Sequence, residues 1–424
     1  MGDHIPESVS SADFKSKVAG PGAWSRRPGP ATCLYTARAL RDFGDGFVAI
    51  LLAVYLIELG LGPLEIGVIA TAALLGSSLL TLTIGLLGRP GGQRMLLLCA
   101  SALMTATGIA FATANDYTWL LLIAFVGTVN PSAGNVSIFV PMEHALLAGT
   151  ALAERRTRMF AVYGLTGAIA AALGSLAAGS PDLLTALGWP RIDALKAMFV
   201  FYAALGVAGG LVYRLIPADT EAAESRPRFA LGESKRVVLK LAGLFSIDAF
   251  AGGFAVQSLL ALWLFQKFDM SLAAAGAFFF WSGLLAALSY PAAAWLARRI
   301  GLLKTMVYTH IPSSLCLIGA ALVPDLDFAL ALLLLRSALS QMDVPTRSSY
   351  VMAVVTPPER AAAASVTSVP RGLASAASPA LAGALFAAGY AALPFVICGA
   401  LKILYDVLLL WTFRHVKPPE EAAA

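Results

Sequence analysis

The chain has 424 residues, 58% of them apolar and 13% charged, with a net charge of +5. A soluble protein carries about a quarter charged residues, so this composition excludes an ordinary soluble domain and points to an integral membrane protein. The positive balance sits in short basic segments between apolar runs and carries no nucleic-acid signature, and the four cysteines (Cys33, Cys99, Cys316, Cys398) are scattered without a CxxC, so neither a disulfide framework nor a zinc site is signalled.

Residues 1–36 are polar, rich in Ser, Pro and Gly, and lack the apolar core of a secretory signal. They read as a flexible cytoplasmic tail. A bilayer core of about 30 Å takes roughly 20 apolar residues as helix. Twelve such runs follow, near 37–58, 64–88, 95–113, 117–146, 158–179, 195–215, 239–265, 271–297, 304–323, 327–355, 361–387 and 392–413. With the N-terminus inside, 23 of the 30 Lys and Arg fall in cytoplasmic segments, and only Arg191, Lys196 and Lys267 fall on the opposite side. The excess of Lys and Arg in cytoplasmic loops sets orientation, which predicts both termini in the cytoplasm. The polar stretch 216–238, with Pro217 and Pro227, reads as a cytoplasmic linker between bundles at 37–215 and 239–413, and 414–424 as a second cytoplasmic tail.

The halves echo each other at a spacing of about 205–215 residues. Gly85–Arg94 (GLLGRPGGQR) after the second run matches Ala294–Lys304 (AWLARRIGLLK) after the eighth. Asn130-Pro131-Ser132 in the fourth run matches Val344-Pro345-Thr346 in the tenth. Arg41–Phe47 (RDFGDGF) matches Ile247–Phe254 (IDAFAGGF). Three matches in the same order predict an internal duplication, a common transporter plan.

From Arg38 to Phe413 the chain resembles the major facilitator superfamily. Gly85, Leu87, Gly92 and Arg94 match its basic-turn signature in the first copy, and Leu296, Arg299 and Gly301 in the second. Arg89 and Arg298 stand where that signature has an acid. The resemblance implies an all-α membrane protein of the superfamily fold, twelve transmembrane helices in two pseudo-symmetric six-helix bundles, with spans one, four, seven and ten around a central cavity. The residues agree, because the polar groups at depth collect on those four spans.

An ionisable group at bilayer depth is expensive and a functional candidate by default. Asp42, Asp45, Asn130, Asn135, Asp248, Gln257, Arg336 and Gln341 are therefore expected to bind substrate or protons. Asp42 and Asp45 are three apart on one helix face; their alternative role is capping or pairing with Arg38 and Arg41. Arg89, Arg94, Glu143, Arg298, Arg299, Asp343, Arg347 and Arg371 are expected as gate or ion-pair groups, with Asp343 and Arg347 spaced i, i+4. Lys402 and Asp406 share that spacing and read as a self-neutralising pair. The absence of GxxxxGK[ST], HExxH and GxSxG speaks against an ATP-driven pump and against an enzyme, and no cofactor or metal is expected. The expectation is a secondary transporter of the inner (plasma) membrane working by alternating access. Its partners are a small-molecule substrate, protons and the lipid bilayer, and it acts as a monomer. The likeness to bacterial efflux permeases favours proton-coupled export of a drug-like or toxic compound; metabolite import and a non-transporting sensor are the rival readings.

Overall fold

The computed structural model describes residues 29–87, 92–132, 137–149, 153–217, 231–356 and 359–415. Arg89, Asn135 and most of the expected N-terminal tail lie outside the described residues. Among the described residues, sixteen helices build twelve spans. The first half holds α1 (Pro30–Glu58), α2 (Pro63–Leu87), α3 (Gln93–Thr113), α4 (Tyr117–Val126) with α5 (Phe139–Gly149), α6 (Ala153–Ala177), the short α7 (Ser180–Ala186) and α8 (Arg191–Arg214). The second holds α9 (Lys235–Gly253) with α10 (Gln257–Phe268), α11 (Leu272–Ile300), α12 (Leu302–Leu322), α13 (Leu326–Ser340) with α14 (Asp343–Val354), α15 (Arg360–Ala387) and α16 (Leu393–Phe413). Spans four, seven and ten are each two helices end to end.

By length and hydropathy alone, nine stretches among the described residues qualify as spans. The others depart for visible reasons: α1 carries Arg38, Arg41, Asp42 and Asp45, span four is broken, and α15 is rich in Ala, Gly and Ser. Span one starts at Pro30, earlier than the expected 37, because Cys33, Leu34 and Ala37 are buried in the helical packing.

Three helix starts on the side remote from the chain termini are capped by polar side chains. Asp116 accepts from the amides of Thr118 (2.9 Å) and Trp119 (3.4 Å), Ser271 from Ala274 (3.1 Å) and Asp325 from Phe328 (2.8 Å). Each satisfies amides that a helix start leaves unpaired. On the terminus side, Gly301 makes the tight turn from α11 to α12 at φ 90, a backbone conformation that disfavours any residue with a Cβ. Large apolar side chains such as Leu288, Leu322 and Trp411 stand exposed on the outside, where lipid solvates them.

Within the first half α1 lies against α6 and α8, and α3 against α8; within the second α9 lies against α15 and α16, and α12 against α16. The halves meet where α2 crosses α15 and α6 crosses α11. These seams are made by small residues that let backbones approach. A Cβ on Gly67 would stand 2.9 Å from the Cα of Gly383, and one on Gly283 3.1 Å from the Cβ of Ala172. The hydrogen bonds that cross between halves, Ala380 N to Thr71 Oγ1 (3.0 Å), Ala273 N to Asp182 Oδ2 (3.1 Å) and Ser258 N to Pro131 O (3.1 Å), lie at mid-depth or toward the side remote from the termini. The apolar core divides accordingly. One cluster runs through the first half into the far ends of the second, while a separate one around Leu241, Phe245, Met306, Tyr350, Tyr405 and Phe413 fills the terminus-side end of the second half alone. Among the described residues, the halves are joined on the far side and share no core on the terminus side.

Candidate functional site

Three of the four spans that the fold sets around its axis are interrupted near mid-depth. Span four stops at Val126, runs through Gly127 and the Asn130-Pro131 turn, and resumes as α5 at Phe139. The side chain of Asn130, buried, accepts from Ser132 N at 2.9 Å. Span seven breaks between Gly253 and Gln257, and span ten turns at Gln341–Met342. Pro345 falls in the first turn of α14, where its missing N–H leaves no helical bond unmade. The breaks of spans four and seven touch, because Ser258 N donates to Pro131 O. Irregular backbone at this depth is tolerated only when buried in protein or lining a polar cavity, and broken spans at the midplane are how transporters build their sites. Gln257 and Gln341 sit at these breaks, each half-buried.

Around the breaks lie two buried ionic clusters, one per half. In the first, Arg41 Nη1 donates to Glu143 Oε2 at 2.8 Å, joining spans one and four. Glu143, fully buried, also accepts from the hydroxyls of Tyr163 on α6 and Tyr213 on α8 (2.6 Å to the latter). Asp42 is held by Arg38 at 2.6 Å and Arg41 at 3.3 Å. Both guanidiniums lie over rings, Arg38 over Tyr163 and Arg41 over Phe139. Asp45, one turn deeper than Asp42, is buried with the Tyr202 hydroxyl at 3.4 Å and has no cation within 4.0 Å among the described residues.

In the second half Asp248 binds Lys402 at 2.6 Å and Arg347 at 3.0 Å, tying span seven to spans twelve and ten. Arg347 also reaches Asp343, its i, i+4 neighbour, at 3.1 Å. His310 Nδ1 lies 3.0 Å from Asp406 Oδ2, and its Nε2 lies 3.4 Å from Lys402 Nζ. The duplication keeps the link between the first and fourth spans of each half and reverses its polarity. Span one offers the base and span four the acid; span seven offers the acid and span ten the base.

The groups expected to bind or gate are thus sorted. Asp42 and Asp248 are ion-paired; Asp45 is not. Arg336 and Arg371 are half-buried and have no carboxylate within 4.0 Å among the described residues. Arg94 donates to the Arg214 carbonyl at 3.0 Å within its own half. Arg298 and Arg299 are exposed at the end of α11, Arg299 lying 4.4 Å above the Trp295 ring. Glu143 and Asp343 pair inside their own halves, and no ion pair among the described residues joins one half to the other.

The i, i+4 reading of Lys402 and Asp406 is corrected: Lys402 turns to Asp248 and Asp406 to His310. A same-helix pair contributes only a few tenths of a kcal/mol, so the neighbouring spans decide. Counting ions along the sequence also passes over Tyr163, Tyr202 and Tyr213, whose hydroxyls complete the first cluster. A usable signal was the spacing of Tyr202 and Tyr213, three turns apart on one face of α8. At the terminus-side surface, Glu359 accepts from the amides of Gly232 (2.8 Å) and Ser234 (3.0 Å). Hydrogen bonding from Ser234, with help from these amides and against desolvation, holds its carboxyl below the usual glutamate range.

A family model described as Major Facilitator Superfamily matches residues 34–341 and again 242–424. An uncharacterized membrane protein of Saccharomyces cerevisiae, YJR124C, is 24% identical over 419 residues, spanning 90% of this chain and 94% of the yeast protein. Among solved structures, the nucleoside transporter NupG superposes with a TM-score of 0.71 at 13% identity, covering 92% of this chain and 100% of that one. A bacterial homolog of the human lysosomal transporter Spinster, inward-facing and unoccupied, gives 0.68 at 13% identity over 92% and 96% of the two chains. At these identities the structural likeness speaks to the fold.

Proposed function

We propose, on the premise that the chain belongs to the major facilitator superfamily as a multi-pass membrane transporter of small molecules, that it is a proton-coupled exporter of a drug-like or toxic compound. It works by alternating access in the inner membrane, as a monomer with both termini cytoplasmic. The observation that carries the coupling is Asp45. Asp42, Glu143, Asp248, Asp343 and Asp406 each hold a basic partner. Asp45, among the described residues, has only a tyrosine hydroxyl. A carboxylate bound to a guanidinium in the interior gives up an ion pair when it takes a proton; Asp45 gives up none. It is therefore the group suited to be charged in one half of the cycle and neutral in the other.

Orientation rests on the basic segments of the terminus side. With those in the cytoplasm, halves joined on the far side are open inward, ready to load from the cytosol. A solute shifts this equilibrium only through its differential affinity for the two states, and the broken midplane of spans four, seven and ten supplies groups whose surroundings change as the halves rock. Arg38 of the first half and Asp343 of the second both lie within electrostatic reach of Tyr290 on α11. We assign this facing pair to the cytoplasmic gate that forms when the site turns outward.

The test is proton movement in sealed proteoliposomes with an internal pH dye, against a panel of amphipathic solutes. The expected result is solute-dependent proton flux that Asp45→Asn abolishes and Asp116→Asn, at a peripheral cap, leaves intact. Proton flux unchanged in Asp45→Asn overturns the coupling role, and solute flux without proton movement overturns proton coupling as such.

A further inference from the structure

The interior charges of the second half do not cancel. Among the described residues its buried carboxylates are all engaged: Asp248 by Lys402 and Arg347, Asp343 by Arg347, Asp406 by His310. Arg336, near the middle of span ten, and Arg371, near the middle of α15, have none left for them. Arg336 has the thiols of Cys316 and Cys398 as its electrostatic neighbours. Arg371 is acted on by another guanidinium, Arg347, and the carboxylates of Asp248 and Asp343 that act on it are already held. Asp45, the one buried carboxylate among the described residues without a cation within 4.0 Å, has Asp42, Arg41, Arg38 and Tyr202 around it, all in the first half.

An uncompensated guanidinium at bilayer depth is unfavourable, and its counter-ion must come from lipid, water or a solute. Arg371 is half-buried on a span that faces the opposite half: the adjacent Gly372 would place a Cβ 3.0 Å from Ser78 Oγ on α2. We infer that the transported solute carries an anionic group, a carboxylate or sulfonate, that docks on Arg371 beside Arg347. A guanidinium presents a planar fork of donors that fits such oxyanions in bidentate fashion and stays charged throughout the cycle. Arg347 is held and neutralised by Asp248 and Asp343, so the uncompensated charge that meets the anion is that of Arg371. Because the next residue, Gly372, packs on α2 across the α2–α15 seam, an anion bound at Arg371 lies beside the surface along which the halves move, so binding is sensed by the rocking motion. The assignment deepens the transporter reading and rests on it.

The experiment uses the full-length protein in detergent with four probes on one scaffold: 2-naphthoate, naphthalene-2-sulfonate, 2-naphthamide and 2-naphthylmethylamine. Ligand binding to the native state raises the melting midpoint by mass action. The two anions are expected to raise it, the amide and amine not. Arg371→Gln is expected to weaken anion binding at least tenfold, Arg371→Lys less. Without ligand, the Arg371→Gln midpoint is expected to rise, because an uncompensated charge is removed; a structural ion pair would make it fall. Anion shifts that survive in Arg371→Gln, shifts equal for amide or amine, no anion-dependent shift at all, or a lowered ligand-free midpoint overturn the proposal. Flux separates the two claims. Anion binding without flux contradicts the transporter reading and leaves the anion site standing. Flux of neutral or cationic solutes, undiminished in Arg371→Gln, leaves transport standing and removes the anion site.

Discussion

Glu143→Gln tests whether the first ionic cluster holds the bundle or gates it. The substitution keeps volume and shape but removes the charge that Arg41 meets at 2.8 Å and that the hydroxyls of Tyr163 and Tyr213 donate to. Arg41 then keeps only Asp42, at 3.3 Å, which it shares with Arg38. Breaking a buried pair from one side costs about 3–5 kcal/mol; the surviving Asp42 contact places this case near ~3 kcal/mol. For a bundle of roughly 200 residues each kcal/mol moves the melting midpoint by about 2–4 °C, so a fall of roughly 6–12 °C is expected. The assay is thermal unfolding in detergent followed by tryptophan fluorescence, with the cycle completed by Arg41→Met and the double variant. Removing both ends leaves no stranded charge, so the double variant is expected to lose less than the two singles added together, by at least ~1 kcal/mol. A Glu143→Gln midpoint within ~2 °C of the native protein would refute the reasoning. So would an additive cycle.

In the second half, Asp248→Asn strands Lys402 beside His310 and is expected to destabilise strongly, and adding Lys402→Met, close in length and uncharged, is expected to restore much of the lost midpoint; no rescue would contradict the pairing. Gly383→Leu would press on Gly67 and Pro63 at the far-side seam, where the ideal Cβ already comes within 3.0 Å of the Gly67 Cα. It is expected to increase the labelling of far-side cysteines by impermeant thiol reagents, and unchanged labelling would contradict a seam that closes that side. Glu359 has a folded pKa below its ordinary value of about 4.3. Its bonds to Gly232 and Ser234 are therefore fully formed above that value and lost as pH falls through the depressed one. The protection factors of these amides, taken against the intrinsic exchange rate at each pH, are expected to fall on that acid side, and at neutral pH in Glu359→Ala; equal protection in the variant would show that the carboxylate does not hold the segment.

The spans were legible because hydropathy at this length scale has few competing explanations, and the caps at Asp116, Ser271 and Asp325 mark starts that propensity alone would place. The break in span four was signalled by Gly127 and Asn130-Pro131. The turn at Gln341–Met342 carries no such signal, because the nearby Pro345 falls at a first-turn position that a helix accepts. Pairing partners were the illegible part. Spacing relates residues along one helix, whereas Lys402, Asp406 and His310 are matched by the packing of α9, α12 and α16. The tyrosines escaped for a different reason: in an apolar run their rings look like core, and only the buried Glu143 and Asp45 show what their hydroxyls are for.

The central claim is that the halves rock about the broken midplane, and distances across the α2–α15 pair test it most directly. In a background with Cys33, Cys99, Cys316 and Cys398 replaced, spin labels at Thr83 and Ser368 report the terminus side, and labels at Leu64 and Ala388 the far side. Pulsed distance measurements with and without a transported solute, at two pH values, are expected to move in opposite senses, the terminus side shortening as the far side lengthens. Distances that stay fixed, or that change in the same sense on both sides, would contradict alternating access.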